Sequence, residues 1–533
     1  MKRMRRMLAA ALMATIAVCG TAGVMTSAKA ETSEPIPLDM YLIAGQSNAA
    51  GYSSKGIDDM TETFGNVGYG GEIQRQFRTG APSAQSLLTA AEFRRSVTSG
   101  LGVNAGCIGP EYGMAKVLND RYENEPDGRK AFIFKYAAGG TSLRDVDESD
   151  PASQTWQFGN WYPRSMWAEG YTPETENYST SNLTTGVLYE TFISDFKKVY
   201  SELKANGYAP QIKGLAWMQG ENDLGLHTVY EPLLKALIAD MREDLAIITG
   251  DENVYAMPFV IGKIATSFWE PNYAPVPEFN AMQQRVADET DNGVETVETS
   301  DLLIATKGSD GTTVGTDICH FNCSDARELG MRFARKIVEI NERKVYAAKR
   351  TENGEIAFNP TSDGKIGITL IPRDSASTKY AVTELIVNGE NVTGNVVGNK
   401  YVIDQPKDKN VVYAAFGQRS KYNVTYEFDD EFVGIITGKK IVYDGDDLVF
   451  TVGTKKGYKV GKVTVGDTEI LPDADGAYTV TSVKNDVTIK IGYAEITERD
   501  DSGPEKKGCG KAAESVIPVA VALAASVFVM KKN

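Results

Sequence analysis

Histidine is nearly absent: the 533 residues include two, His227 and His320, and five cysteines. A metal centre built on several imidazoles is therefore excluded. Cys319, His320 and Cys323 stand close together, but zinc takes three or four protein ligands and no second cluster accompanies them, so no metal and no cofactor is expected. Basic residues are also in short supply. Lys and Arg number 56 against 71 Asp and Glu, a formal net charge of -15 with no basic patch, and this excludes nucleic acid as a partner, because phosphate binding depends on clustered cations. Long apolar runs occur only at the two ends, which excludes a multi-span membrane protein. The 42% hydrophobic and 24% charged fractions are those of an ordinary globular chain. The length exceeds what one core usually organises, so two or three folded units are expected.

The ends read as processing and targeting segments. Lys2 to Arg6 is followed by the apolar stretch Leu8 to Met25 and by Ala28-Lys29-Ala30, the small-x-small pattern of a signal-peptide cleavage site. Residues 1–30 are read as a signal peptide, with the mature chain starting near Glu31. Cys19 follows Val18, which is too large for a lipoprotein signal. At the other end, residues 497–514 form a polar linker and residues 515–533 an apolar segment closed by Lys531, Lys532 and Asn533. The fifteen apolar residues from Val516 to Met530 fall short of the ~20 that span a bilayer as a helix. Their terminal position, the flanking lysines and the charged spacer nevertheless lead to the expectation of a membrane or cell-wall tether, holding a secreted protein on the extracellular face.

Between these ends the texture changes once. From residue 31 to about 347, apolar β-rich runs alternate with amphipathic stretches: candidate strands start at Met40, Ala131, Ile212, Pro258 and Val294, and candidate helices run Leu188 to Asn206, Tyr230 to Ile248, Pro277 to Glu289 and Ala326 to Arg343. Strands apolar on both faces predict a three-layer α/β/α domain around a parallel sheet. After Lys349 the pattern turns to period-two alternation rich in Gly, Asp, Asn and Thr, and Val382 to Phe416 repeats in strand rhythm at Lys462 to Tyr493. Two small all-β modules are expected, at 348–420 and 421–496, acting as spacers because no cluster of exposed aromatics marks a sugar platform.

With two histidines the search for a general base is short. Asp317 lies three residues before His320 on a turn leading into a helix that opens near Asp325, where its carboxylate can hold the ring with Nε2 outward. The matching nucleophile candidate is Ser47 in Gly45-Gln46-Ser47-Asn48, directly after an apolar strand, where the active site of a parallel α/β sheet lies. The alternative is that Ser47 caps the next helix. Two more strand ends carry Gly139-Gly140-Thr141-Ser142 and Gln219-Gly220-Glu221-Asn222-Asp223, supplying backbone and amide donors for an oxyanion. Glu221 and Asp223 read as loop braces, and His227 as a surface residue at a helix start. Three cysteines in the body, Cys107, Cys319 and Cys323, allow one disulfide and one remaining thiol.

These blocks, GQSN at Gly45 to Asn48, GGTSL at Gly139 to Leu143, WMQGEND at Trp217 to Asp223, and DICH at Asp317 to His320 with LGMRFA at Leu329 to Ala334, resemble the SGNH/GDSL hydrolase superfamily and within it the sialate O-acetylesterase-like group that includes carbohydrate esterase family 6. The resemblance spans roughly Pro37 to Lys344 and implies the flavodoxin-like SGNH fold. It further implies Ser47 as nucleophile, His320 as base and Asp317 as its orienting acid. Gly140 or Gly139, together with Asn222 or Gln219, would join the Ser47 N–H in the oxyanion hole. Cys107 falls in Gly109-Pro110-Glu111's neighbourhood, the segment that borders the site in this group. The activity implied is cofactor-free removal of acetyl groups from a glycan, with sialic acid, xylan and other glycans all open. Two other readings stand beside it: a glycan-binding surface protein without activity, and the same triad acting on lipid or peptidoglycan esters.

Overall fold

The computed structural model describes residues 34–74, 96–145, 160–173, 185–268, 274–306 and 315–496. The expected signal peptide, polar linker and C-terminal anchor lie outside the described residues. Among the described residues no helix is long and apolar enough to cross a membrane.

The first unit opens with a seven-stranded sheet. Its strands are β1 (Ile36–Gly45), β2 (Phe64–Gln74), β3 (Ser96–Val97), β4 (Lys130–Ala138), β5 (Tyr208–Met218), β6 (Phe259–Gly262) and β7 (Val294–Val297). The spatial order is β3-β2-β4-β1-β5-β6-β7, parallel throughout except for the short edge strand β3. The helices are α1 (Ser47–Ala50), α2 (Pro110–Arg121), α3 (Val187–Ala205), α4 (His227–Thr249), α5 (Pro275–Thr290) and α6 (Cys323–Asn341). Both faces of the sheet are covered, as the apolar strands require. Phe134 of β4 meets Phe192 and Phe196 of α3 at ring-centroid distances of 5.6 and 5.7 Å, while its neighbour Lys135 points the opposite way to Glu111 of α2. The expected three-layer domain is present.

Two elements escaped the pattern reading. β2 carries Gly65, Gly68, Gly70 and Gly71, a composition that disfavours a strand, yet it pairs with β4 along eight residues from Val67 to Gln74; tertiary pairing overrides local propensity. α2 contains Gly113 and has little amphipathic signal. The glycine is there for contact: a Cβ on it would sit 1.8 Å from the Arg327 carbonyl oxygen, and one on Gly330 of α6 would sit 1.9 Å from the Pro110 carbonyl oxygen. The two helix backbones touch through this glycine pair. α6 itself starts at Cys323, earlier than its apolar stripe suggests, because Asn322 caps it by accepting from the Asp325 N–H at 2.9 Å.

The chain order places the site. From central β1 the chain moves outward to β2 and back to β4 on one side, then crosses to β5 on the other, so β1 is the point where the winding reverses and its carboxyl end opens into a crevice. In register, Gly45 faces Ala137 of β4 and Met218 of β5. The three sequence motifs that follow these strands therefore emerge side by side.

The all-β modules are also present. The first shares the compact unit that runs to Gly417 with the α/β domain but has its own core of Ile366, Ile368, Leu370, Leu385, Val412 and Phe416. It begins within Val345–Ala348, which pairs in parallel with Lys409–Gln418. The second unit is built on Leu448, Phe450, Val463 and Ile489. The repeat is realised strand for strand: Tyr380–Val387, Glu390–Asn391, Lys400–Ile403 and Lys409–Gln418 correspond to Tyr458–Val465, Thr468–Ile470, Ala477–Val480 and Val487–Glu495.

Candidate active site

β1 ends at Gly45 with φ +141°, where a Cβ would lie 2.0 Å from the Met218 carbonyl oxygen; only glycine lets the two central strands stay this close at the turn. The Gln46 N–H then donates to that same oxygen at 2.9 Å, and the chain enters the single turn of α1. Ser47 is the first residue of this turn and only 7% exposed. Gln46 occupies the cap position and no side chain caps the helix, so Ser47 is not the N-cap.

The Asp317–His320 turn forms as the spacing predicts. One carboxylate oxygen of Asp317 accepts from the backbone N–H groups of Cys319 and His320, each at 3.0 Å, and the other accepts from His320 Nδ1 at 2.9 Å. Burial pushes the Asp317 carboxyl up, but the His320 bond and charge together with the two N–H donors outweigh it and leave its pKa below the usual carboxylate value. With Nδ1 engaged, Nε2 is the nitrogen left for a hydroxyl. The ring is held from its face as well: Tyr52 stacks on His320 with centroids 4.8 Å apart and planes 18° from parallel. Tyr52 in turn lies against Gly139, where a Cβ would come within 2.8 Å of its hydroxyl.

Asn48 joins the two halves. Its Nδ2 donates to the Cys319 carbonyl at 3.2 Å and to Glu221 Oε1 at 2.7 Å, and its Oδ1 accepts from the Phe321 N–H at 3.3 Å. The residues on both sides of His320 are thus tied to the residue beside Ser47. This single side chain links the ends of β1 and β5 to the turn before α6. Sequence reading included Asn48 in its motif without a task, and had no signal for Tyr52.

The remaining strand ends divide their work. Gly140 takes φ +69° in the turn after β4, closed by the Thr141 hydroxyl donating to the Ala138 carbonyl at 2.8 Å. Gln219 is fully buried: its Nε2 faces Gln46 Oε1 at 3.2 Å, the Thr141 carbonyl at 3.0 Å and Asp223 Oδ2 at 2.7 Å, and its Oε1 accepts from the Tyr230 hydroxyl at 2.6 Å. Its amide hydrogens are directed at these internal acceptors, which makes Gln219 a brace between strand ends. Asn222 is half-buried, and its backbone N–H reaches Gln46 Oε1 at 3.4 Å. Glu221 and Asp223 act as the expected braces. Asp223 Oδ2 also accepts from the Leu143 N–H at 3.0 Å, and burial, countered only in part by these bonds, raises its pKa to about 6.

His227 opens α4 and faces Glu278 of α5 at 3.1 Å, apart from the turn of His320. Cys107, Cys319 and Cys323 are all free thiols, so the allowed disulfide is not formed. Burial is the main cause pushing the Cys319 thiol up to about 11 and that of Cys323 up to about 12, which makes both poor nucleophiles. Among the described residues no group of three or more His, Cys, Asp or Glu could hold a metal ion.

Comparison with known proteins gives a family match. A family model described as carbohydrate esterase, sialic acid-specific acetylesterase, matches residues 37–339, more than half of the chain. Among solved structures, NanS is 15% identical, covering 58% of this chain and 100% of its own with a TM-score of 0.37; a protein from Arabidopsis thaliana is 16% identical, covering 57% and 98% with a TM-score of 0.35. No curated protein matches. The chain belongs to the carbohydrate esterase family of sialic acid-specific acetylesterases, and it is a hydrolase acting on ester bonds.

Proposed function

We propose that the chain removes O-acetyl groups from glycans, with acetylated sialic acid as the first substrate to test, by a two-step acyl-enzyme route through Ser47. The observation that carries this reading is the Asn48 clamp, which ties the backbone around the Asp317-oriented His320 to the turn of Ser47. Ser47 Oγ attacks the acetyl carbonyl carbon as its proton passes to His320 Nε2, and the carbonyl oxygen becomes an oxyanion. The N–H groups of Ser47 and Gly140 and the side-chain amide of Asn222 are its donors. Collapse breaks the bond to the sugar oxygen, which takes the proton from His320 and leaves as a free hydroxyl. Water then attacks the acetyl-serine, again giving its proton to His320, and acetate departs as Ser47 regains its hydrogen. Asp317 keeps the ring in the Nδ1–H form throughout. The family match supports the ester chemistry, and the occupation of Gln219 favours Asn222 as the amide donor.

Export and retention at the cell surface belong to the same proposal, supported by the basic-apolar N-terminal segment and the apolar C-terminal run. The test is acetate release by residues 31–496 from an aryl acetate and from a panel of acetylated sialosides, xylan and peptidoglycan, beside Ser47→Ala. Acetate from sialosides that vanishes in the variant supports the reading. Equal release from both proteins sinks Ser47 as nucleophile, and release from xylan or peptidoglycan alone sinks the sialoside assignment.

A further inference from the structure

We infer that the buried Lys135–Glu111 ion pair is a positioning device for the Ser47 turn, kept for that geometry rather than for the stability of the sheet. The inference rests on Ser47 being the nucleophile. Lys135 lies in mid-strand on β4 between Phe134 and Tyr136, and both partners of the pair are 0% exposed, with Nζ 2.7 Å from Glu111 Oε2. An ammonium group has three hydrogens, and each has a named acceptor: Glu111, the Ala50 carbonyl at 3.0 Å and the Leu101 carbonyl at 3.0 Å.

The Ala50 contact is the informative one. α1 is a single turn that starts at Ser47 and ends at Ala50, too short to hold its shape by its own hydrogen bonds. Its last carbonyls have no partner within the helix, and a cation at that end meets both the orphan oxygen and the helix dipole. The other Glu111 oxygen accepts from the Gly109 N–H at 2.8 Å. Gly109 lies so close to Gly51 that a Cβ on Gly51 would come within 2.6 Å of its nitrogen, and the Gly51 carbonyl takes the Val103 N–H at 3.0 Å. Lys135 and Glu111 therefore lock the residues just after the nucleophile to β4 and to the start of α2. Burial lowers the lysine's pKa, and the contact with Glu111 offsets that only in part.

The face of β4 that carries Lys135 is otherwise lined by Ala131, Ile133 and Ala137 and has no need of a charge to pack. Replacing a buried ion pair with apolar residues of similar volume is commonly neutral or stabilising, whereas removing one partner is not. The role thus separates from a structural one. In Lys135→Met/Glu111→Leu the thermal midpoint is expected to stay within a few degrees of wild type, while kcat on an aryl acetate falls about 10- to 100-fold with KM within about twofold, the cost of loosening a nucleophile by a fraction of an ångström. Labelling of Ser47 by a fluorophosphonate slows by the same factor. Should the double variant not fold, Glu111→Gln keeps the shape and an acceptor for Gly109 but turns an amide N–H₂, a donor, toward Lys135 in place of the carboxylate oxygen; an unchanged circular dichroism spectrum with a several-fold loss of kcat and labelling rate is then expected. A folded variant with wild-type kcat and labelling overturns the inference. Activity that survives Ser47→Ala instead overturns the proposed nucleophile, so the two failures are distinguishable.

Discussion

Exchanging Asn48 for aspartate keeps the shape of the clamp and reverses its electrostatics. Asn48 Nδ2 donates to Glu221 Oε1 at 2.7 Å. Burial already holds the Glu221 carboxyl above the usual range, and the Asn48 hydrogen bond is the foremost influence restraining that rise. Asn48→Asp replaces this donor with a second carboxylate. Two unit charges about 4 Å apart repel by about 4 kcal/mol at an effective dielectric of about 20, which corresponds to about three pH units. One carboxyl of the pair is therefore expected to titrate well above its unfolded value in the folded state. A carboxyl raised in this way holds a proton that the unfolded chain releases, so the variant keeps its stability below the unfolded carboxylate value and loses it as the pH rises through the raised folded value. Measured by thermal scans, its midpoint should fall relative to wild type by on the order of 5–10 °C between pH 5 and pH 8. Because the Cys319 carbonyl also loses its donor, kcat on an aryl acetate should fall at least tenfold at pH 8. A variant whose midpoint tracks wild type across pH 5–8 refutes the clamp.

Asp317→Asn is expected to lower kcat by about 10²- to 10⁴-fold with KM little changed, since the ring is released to the wrong tautomer; kinetics at pH 8 with a folded control checks it. The depressed pKa of Asp317 contributes stability above the unfolded carboxylate value, lost only as the pH falls through the lower folded value. Asn222→Ala and Gln219→Ala should part company: the first lowers kcat by about 10²- to 10³-fold, as loss of an oxyanion donor does, with a smaller fall in midpoint than the second. The second destabilises by about 3 kcal/mol through the hydrogen bonds lost to Asp223, Thr141 and Tyr230, and equal effects on midpoint would contradict the division. Asp223, raised to about 6, binds a proton in the folded state that the unfolded chain releases, which removes about 3 kcal/mol of stability as the pH rises from about 4 through 6. The midpoint of Asp223→Asn relative to wild type should accordingly climb over that interval, and a flat difference would contradict it.

Local pattern determined a good deal of this protein. The strands at Met40, Ala131 and Ile212 were legible because both of their faces are buried, and α3, α4 and α6 because one face of each is apolar. Gly45-Gln46-Ser47-Asn48 and Asp317 to His320 were legible because a turn that must present a side chain at a strand end needs particular residues at fixed spacing. The i, i+3 geometry of Asp317 and His320 closes within four residues, so the sequence alone contains it. β2 and α2 were not legible, since their glycines answer to a neighbouring strand and to the Gly330 contact rather than to any local preference.

Only the tertiary structure shows how Gln219 is held. Gln219 and Asn222 are three residues apart and chemically alike, and no local pattern announces that Gln46, Thr141, Asp223 and Tyr230 surround the first of them in space. The same holds for Tyr52 on His320, for Asn48 reaching across 271 positions to Cys319, and for Lys135 reaching Ala50. Long-range hydrogen bonds depend on strand order and register, which no single segment encodes.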